Sequence, residues 1–143
     1  MKRKSLSQLK KCLWTVFSKY IRLRDKRVCI TCGRVVPIEK PRGYHAGHCE
    51  PKSICPLELY FDERNVNGQC YNCNINLGGW GARYRERVDE KWGEGTYEDF
   101  KKMKIKFKGQ QWSREDYEDK IKFYKLKKCQ TIKSKYPDSD QWF

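Results

Sequence analysis

The chain lacks any long apolar run. No stretch approaches the roughly 18 to 20 consecutive apolar residues that a membrane-spanning helix needs. Residues 1–4, Met-Lys-Arg-Lys, are not followed by the apolar segment of a secretory signal peptide. We therefore expect a cytoplasmic protein with no membrane partner. Because disulfides are rare in reducing compartments, four of the eight cysteines are expected to be free thiols: Cys12, Cys49, Cys55 and Cys129.

Hydrophobic residues are also scarce. They make up 38% of the 143 residues, while charged residues make up 35%. This balance argues against a single large apolar core. A bound metal would offset the shortage, because metal binding in a small domain contributes directly to the free energy of folding.

Acidic residues are few in two segments of the chain, one near each end. Residues 1–28 contain ten Lys and Arg against one acid, and residues 101–135 contain thirteen against four. Residues 29–100 have nine against eleven and residues 136–143 none against two, which gives the net charge of +14. Basic flanks around a mildly acidic centre are typical of segments that neutralise DNA phosphates. The alternatives are charge that serves solubility and a patch that binds a membrane surface.

Histidine occurs only twice, in the segment His45-Ala46-Gly47-His48. Two Cys-x-x-Cys pairs, 37 residues apart, bracket this segment, and Asn74 follows the second pair directly. Four thiolates at this spacing predict a tetrahedral, structural zinc site that is closed to water. The predicted zinc ligands are Cys29, Cys32, Cys70 and Cys73.

This arrangement of His and Asn side chains predicts phosphodiester chemistry. Such hydrolysis needs a base for the attacking water and a cation near the leaving oxygen. We expect His48 to be the general base, because the pKa of histidine lies near working pH. His45 and the side-chain carbonyl of Asn74 would hold a catalytic Mg²⁺ or Mn²⁺. The alternatives are two satisfied polar histidines, or a second zinc site that involves Cys49 and Cys55.

Hydrophobic spacing predicts helices in both basic flanks. An amphipathic helix of about 18 residues begins after a capping box at Ser5 and Gln8. Aromatic and apolar residues four apart predict a second helix over residues 80–92. The candidate DNA-binding residues on these two helices are Lys10, Lys11, Lys19, Arg22, Arg83 and Arg87.

The segment between these helices predicts a zinc knuckle and short strands. We expect the knuckle at residues 28–36, strands at 44–49 and 57–61, and a turn at 65–68. A helix is expected from about residue 70 to Gly78 and Gly79.

Two further helices are predicted near the C-terminus. Thr96 with Asp99 would cap the first and Ser113 with Asp116 the second. The apolar faces of the N-terminal helix and of the helix over residues 113–133 would either form a dimer interface or pack on the core.

The chain thus divides into three predicted segments. Residues 1–27 form a basic helix, residues 28–92 a zinc-stabilised core, and residues 93–143 a basic helical region.

The order of the motifs resembles the HNH, or ββα-metal, nucleases. It is similar to the phage endonuclease VII type of Holliday-junction resolvase, which has an aspartate where His45 stands. The resemblance implies an α+β fold: a small zinc-stapled, HNH-like core of the treble-clef type with flanking basic helices. It also implies the roles given above to His48, His45 and Asn74. A histidine at position 45 favours transition metals more than a carboxylate would.

A closer resemblance covers residues 28–93. The segments 29–33, 45–48 and 65–74, followed by Gly78 and Tyr84, resemble the signature of the phage NinG (Rap) recombination family. That family implies a phage protein acting in the bacterial cytoplasm, with structure-specific cutting of branched DNA. Asn65 matches the middle residue of the HNH name and would brace the loop under His48.

The residues and the resemblance together predict a metal-dependent endonuclease. We expect it to cut branched recombination intermediates such as Holliday junctions and D-loops, leaving 5′-phosphate and 3′-hydroxyl ends. The expected partners are DNA, a second copy of the chain, and phage recombination proteins. Two alternatives remain: a sequence-tolerant nicking or restriction-like endonuclease on duplex DNA, and a non-catalytic zinc-dependent module that binds DNA.

Overall fold

A computed structural model describes residues 2–137 as an α+β fold. The helices are α1 (Leu6–Arg24), α2 (Leu57–Tyr60), α3 (Gly81–Trp92), α4 (Thr96–Lys106) and α5 (Arg114–Lys135). The strands β1 (Tyr44–His48) and β2 (Val66–Cys70) pair antiparallel, with Tyr44 opposite Cys70 and His48 opposite Val66. Short 3₁₀ turns cover Pro41–Gly43 and Lys52–Ile54, and a π-helical turn covers Asn72–Asn76. No helix in the described range is long and apolar enough to cross a membrane.

Both predicted capping boxes are present. In α1, the Ser5 hydroxyl accepts the Gln8 N–H, and the Gln8 side chain accepts the Ser5 N–H at 2.8 Å. In α5, Ser113 and Asp116 make the same reciprocal pair. Each box satisfies two backbone donors that a helix start would otherwise leave open.

The apolar faces of α1 and α5 pack against each other within the chain. Phe17 of α1 and Tyr124 of α5 meet edge to face, with ring centroids 4.8 Å apart. The buried side chains of this cluster also include Ala46 of β1 and Val66 of β2. The two basic flanks therefore share a core with the hairpin, and this core occupies the faces that were considered for a dimer interface.

The segment between the strands differs from the sequence prediction. Residues 57–61, expected as a strand, form the short helix α2, because Tyr60 and Phe61 donate their N–H groups to the carbonyls of Pro56 and Leu57. Of residues 65–68, expected as a turn, 66–68 form the first part of β2, whose five residues are all buried. Tertiary contacts outweigh local turn preference here: the Asn67 side chain, for example, accepts hydrogen bonds from Arg24, Lys91 and Trp92.

Two helix ends also differ. The helix expected to start near residue 70 is only the π-helical turn, followed by Gly78 and Gly79 with positive φ. Thr96 does not cap α4, because Gly95 occupies the N-cap position with φ of 89°. Asp89 of α3 instead accepts the Tyr97 N–H at 2.9 Å, which joins α3 to α4. Helix α3 itself ends at Trp92, as predicted.

Candidate metal centre and its surroundings

Four cysteines form a cluster that could hold a metal ion such as zinc. The Sγ atoms of Cys29, Cys32, Cys70 and Cys73 all lie within 4.8 Å of one another. The first pair lies in the predicted knuckle, where the Cys29 N–H donates to the Arg34 carbonyl and Gly33 turns the chain with φ of 74°. All eight cysteines lie in the described range, and none forms a disulfide.

The surroundings of Cys29 favour a thiolate. Burial raises the pKa of this thiol, but the Thr31 hydroxyl and the N–H groups of Cys32 and Cys70 lower it, so that the pKa is about 6. The Thr31 oxygen lies 3.1 Å from the Cys29 sulfur. Thiolates that accept backbone N–H groups are the ligands that a structural zinc requires.

His45 and Asn74 lie next to each other, as the prediction of a shared cation site requires. Asn74 Nδ2 is 2.9 Å from His45 Nδ1, and His45 Nε2 is 2.8 Å from the Arg42 carbonyl. A carbonyl can only accept, so these contacts assign the hydrogen to Nε2 and leave Nδ1 as the acceptor. Asn74 follows Cys73 in the π-helical turn, so the cysteine cluster fixes its position.

The side-chain carbonyl of Gln69 lies beside Gly47, as that of Asn74 does. A Cβ on Gly47 would lie 2.1 Å from Gln69 Oε1 and 2.9 Å from Asn74 Oδ1, so only glycine leaves room for both oxygens. Gln69 Oε1 is buried and has no hydrogen-bond donor within the described residues. Two amide oxygens beside an imidazole fit a divalent cation, because carbonyl oxygen and imidazole nitrogen are common ligands of Mg²⁺ and Mn²⁺.

His48 does not share this site. Side chains three apart in a regular strand point to opposite faces, and β1 pairs with β2 residue by residue without a bulge. The expectation that His48 lies beside His45 and Asn74 is therefore corrected. The His48 ring stacks on Trp14 of α1, with centroids 5.1 Å apart, and its Nε2 is 2.9 Å from the Tyr60 carbonyl.

The environment of His48 favours a neutral ring. Burial lowers its pKa most, the Tyr60 hydrogen bond opposes this, and the charges of Lys52 and Lys10 add to it, so that the pKa is about 4. Its Nδ1 is buried and has no partner among the described residues. The imidazole is thus neutral, and its acceptor atom Nδ1 is buried in this arrangement.

Asn65 has the bracing position that the resemblance implies. This fully buried side chain accepts the Glu50 N–H at 2.8 Å and donates to the Leu59 carbonyl at 2.9 Å. It thereby joins the loop after His48 to α2. The second zinc site considered for Cys49 and Cys55 is not formed, since in residues 2–137 the four-cysteine cluster is the only group of three or more His, Cys, Asp or Glu side chains that could hold a metal.

The candidate DNA-binding residues divide into two groups. Lys19 and Arg22 line a groove of about 770 Å³ between the ends of α1 and α5. Six cations and no acidic residue line this basic groove: Lys19, Arg22, Lys26, Arg27, Lys128 and Lys135.

The remaining candidates lie elsewhere. Lys10 and Lys11 border a cleft beside Trp14, where Lys10 Nζ is 4.4 Å from the centroid of the Tyr60 ring. Arg83 and Arg87 of α3 form ion pairs with glutamates three residues later, at 3.0 and 2.7 Å. Because glutamates already offset their charge, Arg83 and Arg87 should bind phosphate more weakly than Lys10 and Lys11.

Three residues at the site were not predicted from the sequence. Gln69 projects toward Asn74, Gly47 leaves the space between them, and the Tyr84 hydroxyl donates to the Gly47 carbonyl at 2.6 Å. The signal for Gln69 was its place directly before Cys70 and directly after the segment predicted as a turn, residues 65–68.

Comparison with known proteins identifies the family. The family model described as Bacteriophage Lambda NinG protein matches residues 1–135. The chain belongs to the NinG family. The NinG protein of Salmonella phage P22 is 29% identical over 118 residues, which cover 82% of this chain and 48% of the relative.

Other NinG relatives match similarly. The protein of Escherichia phage 933W is 28% identical over 82% of this chain and 49% of its own length. The protein of Escherichia phage lambda is 33% identical over 76 residues, 52% of this chain and 35% of the relative. The chain therefore spans about half the length of the NinG proteins it matches over most of its own length. No solved structure matches the chain.

Proposed function

We propose that this NinG-family chain is a metal-dependent endonuclease that cuts branched DNA in phage recombination. The observation that carries the proposal is the contact between His45 and Asn74, 2.9 Å apart beside the cysteine cluster. The HNH and endonuclease VII resemblance assigns the same two positions to a catalytic cation. Membership of the phage NinG family supports a role in recombination.

In this proposal the two metal sites have separate tasks. Zinc at the four cysteines is structural, since four thiolates leave no open position. His45 and Asn74 bind the catalytic Mg²⁺ or Mn²⁺, which would stabilise the charge on the transferred phosphoryl group and the leaving 3′-oxygen. The expected products carry 5′-phosphate and 3′-hydroxyl ends.

The role of His48 as general base stays a prediction, and the burial of its Nδ1 limits when the ring could accept a proton from water. Its neutral ring is in the correct protonation state to accept a proton. Its Nδ1, however, is enclosed on the opposite face of β1 from His45. His48 would act as the base only if DNA binding moved α1, with Trp14, away from this ring and admitted water.

Substrate binding would use the basic flanks. The basic groove and the cleft at Lys10 and Lys11 offer cations without acidic neighbours in their linings. Paired cuts across a junction would suit a two-fold dimer, so we propose a homodimer that can work with other phage recombination proteins. The faces of α1 and α5 that pack together within the chain are not available for its interface.

A cleavage panel tests the proposal. Four-way junction, flap, single-stranded and linear duplex DNA of one sequence are incubated with the zinc-loaded chain and Mg²⁺, Mn²⁺ or EDTA. Faster cutting of the branched substrates supports the proposal. Equal cutting of linear duplex would favour a nicking or restriction-like enzyme. Salt-sensitive binding without cutting under any metal would favour a non-catalytic DNA-binding module.

A further inference from the structure

We propose that Gln69 is a third ligand of the catalytic cation, through its side-chain carbonyl oxygen Oε1. This inference rests on the proposed function for the existence of a cation at His45 and Asn74. It adds a ligand that the motif spacing did not indicate. The assignment follows from the position, orientation and surroundings of the Gln69 side chain.

The position of Gln69 comes from the strand pairing. Gln69 of β2 lies directly opposite His45 of β1, and side chains of directly opposite residues share one face of the sheet. Gln69 is fully buried, with 0% of its surface exposed. It also directly precedes Cys70 of the cysteine cluster, so a metal bound there would hold its backbone in place.

Two hydrogen bonds fix the orientation of the carboxamide. Gln69 Nε2 donates to the Gly79 carbonyl at 3.0 Å and to the Thr31 hydroxyl oxygen at 3.4 Å. Because a backbone carbonyl cannot donate, the nitrogen must face Gly79 and the oxygen must face away from it. A rotated amide would bring two oxygen atoms together.

The oxygen then faces Gly47, on the side where Asn74 Oδ1 also lies. Gln69 Oε1 has no donor among the described residues, although buried acceptors almost always have one. A Cβ atom placed on Gly47 would lie 2.1 Å from Gln69 Oε1 and 2.9 Å from Asn74 Oδ1. Two carbonyl oxygens without an intervening donor repel each other unless a positive charge lies between them.

The chemistry of this set indicates the kind of ion. His45, Asn74 and Gln69 are all neutral ligands, and their donors to the ion would be the imidazole Nδ1 and two amide oxygens. A bound cation would take the Nδ1 lone pair that accepts the Asn74 N–H in this structure. Imidazole makes Mn²⁺ a better match than Mg²⁺ in the absence of DNA. A neutral ligand set also leaves the ion's full charge for the phosphodiester oxygens, so DNA should strengthen cation binding.

The test is direct binding of Mn²⁺, measured by loss of the free-ion electron paramagnetic resonance signal. The zinc-loaded full chain is compared with His45→Ala, Asn74→Ala, Gln69→Glu and Gln69→Met. We expect one Mn²⁺ per parent chain and at least fivefold weaker binding in the two alanine variants and in Gln69→Met. Gln69→Glu replaces the amide oxygen with a carboxylate, but it also removes the N–H that donates to the Gly79 carbonyl. Where its zinc content and circular dichroism match the parent, it should bind Mn²⁺ at least fivefold more tightly.

Controls separate this effect from folding and from general charge. Gln111→Glu adds the same charge at an exposed position and should leave Mn²⁺ affinity unchanged. Zinc content and circular dichroism are recorded for every variant. If Gln69→Met loses zinc, Gln69→Glu and Gly47→Ala test the role of Gln69 in its place. The methyl group added by Gly47→Ala should displace both oxygens and abolish Mn²⁺ binding.

The outcomes distinguish this inference from the proposed function. Unchanged Mn²⁺ affinity in both Gln69 variants, with weaker binding in the alanine variants, would overturn the role of Gln69 and leave the endonuclease proposal standing. The expected pattern of Mn²⁺ binding without cleavage of any DNA would support the site and overturn the endonuclease. No Mn²⁺ binding with or without junction DNA would overturn the site.

Discussion

Asn74 donates a hydrogen bond to Nδ1 of His45 across 2.9 Å, although 28 residues separate the two in the chain. Asn74 is placed by the π-helical turn that carries Cys73, and His45 is placed by β1. The cysteine cluster and the two-stranded sheet therefore meet at this contact. The structure brings together the two residues that the motif spacing assigned to a cation.

Both histidines and Asn74 should be needed for cleavage. His45→Ala and Asn74→Ala remove proposed cation ligands, and we expect each to lower the junction-cleavage rate by about 100-fold or more. His48→Ala tests the base role, with an expected loss of about 100-fold. Rates are measured on a labelled four-way junction with saturating Mn²⁺.

The contradicting result differs for each residue. Full activity in His45→Ala would remove the cation site from the mechanism. Full activity in His48→Ala would show that the enclosed ring on the opposite face of β1 is structural. Zinc content serves as the control for folding in all three variants.

The buried ring of His48 should make stability depend on pH. Burial lowers its pKa to about 4 in the folded chain, whereas an unfolded chain has a histidine pKa of about 6.5. Below pH 6.5 the unfolded state binds the extra proton, so this contribution is complete above pH 6.5 and is lost as the pH falls toward 4. The loss from this group between pH 7 and pH 5 should be about 2 kcal/mol.

Urea unfolding at the two pH values checks this expectation. The cysteine cluster also loses metal affinity in acid, so the parent is compared with His48→Gln, which has no titrating ring. The variant should lose less stability between pH 7 and pH 5 than the parent. An equal loss in both proteins would mean that the folded-state pKa of His48 is close to its ordinary value.

Metal removal should destabilise the knuckle. Cys32→Ser removes one thiolate, and we expect less than one zinc per chain and a loss on the order of several kcal/mol of folding free energy. Cys129→Ser in α5, outside the cluster, should keep both zinc and stability. Zinc is measured by mass spectrometry and stability by thermal melting. A fully stable Cys32→Ser protein with one zinc would contradict the assignment.

The basic groove should carry more of the DNA affinity than α3. Lys19→Gln with Lys128→Gln removes two groove cations, which should reduce the slope of log affinity against log salt by roughly 2 if each contacts a phosphate. Arg83→Gln with Arg87→Gln is the matched pair, and its slope should change less because glutamates already partner both arginines. Fluorescence anisotropy with a labelled junction gives both slopes.

An equal change in the two double variants would contradict this ranking. It would show that DNA displaces the glutamates on α3, and that both surfaces contact the phosphate backbone.

Packing of α1 on α5 gives a prediction about stability alone. Phe17 is fully buried and contacts both Phe61 and Tyr124. Phe17→Ala should cost about 3 to 5 kcal/mol, from lost burial and the cavity left behind. The chemical-denaturation midpoint measures this loss. A cost below about 1 kcal/mol would mean that α1 does not dock on the core as described.

The sequence by itself determined the features that depend on local spacing. Two Cys-x-x-Cys pairs specify a four-thiolate cluster, Ser5 and Ser113 specify their helix starts, and the place of Asn74 after Cys73 ties it to that cluster. The helix starts and the place of Asn74 follow from residues a few positions apart, and the cluster follows from two Cys-x-x-Cys pairs whose spacing is typical of a zinc site.

Only the tertiary structure determined which side chains share a face of the sheet. Strand pairing separated His48 from His45, and it turned a polar segment with turn propensity into β2, which carries Gln69 to Asn74. It also docked α1 on α5, which closed their apolar faces within one chain. These outcomes depend on register and on long-range partners of buried polar groups, and such partners outweigh the local preferences that a sequence displays.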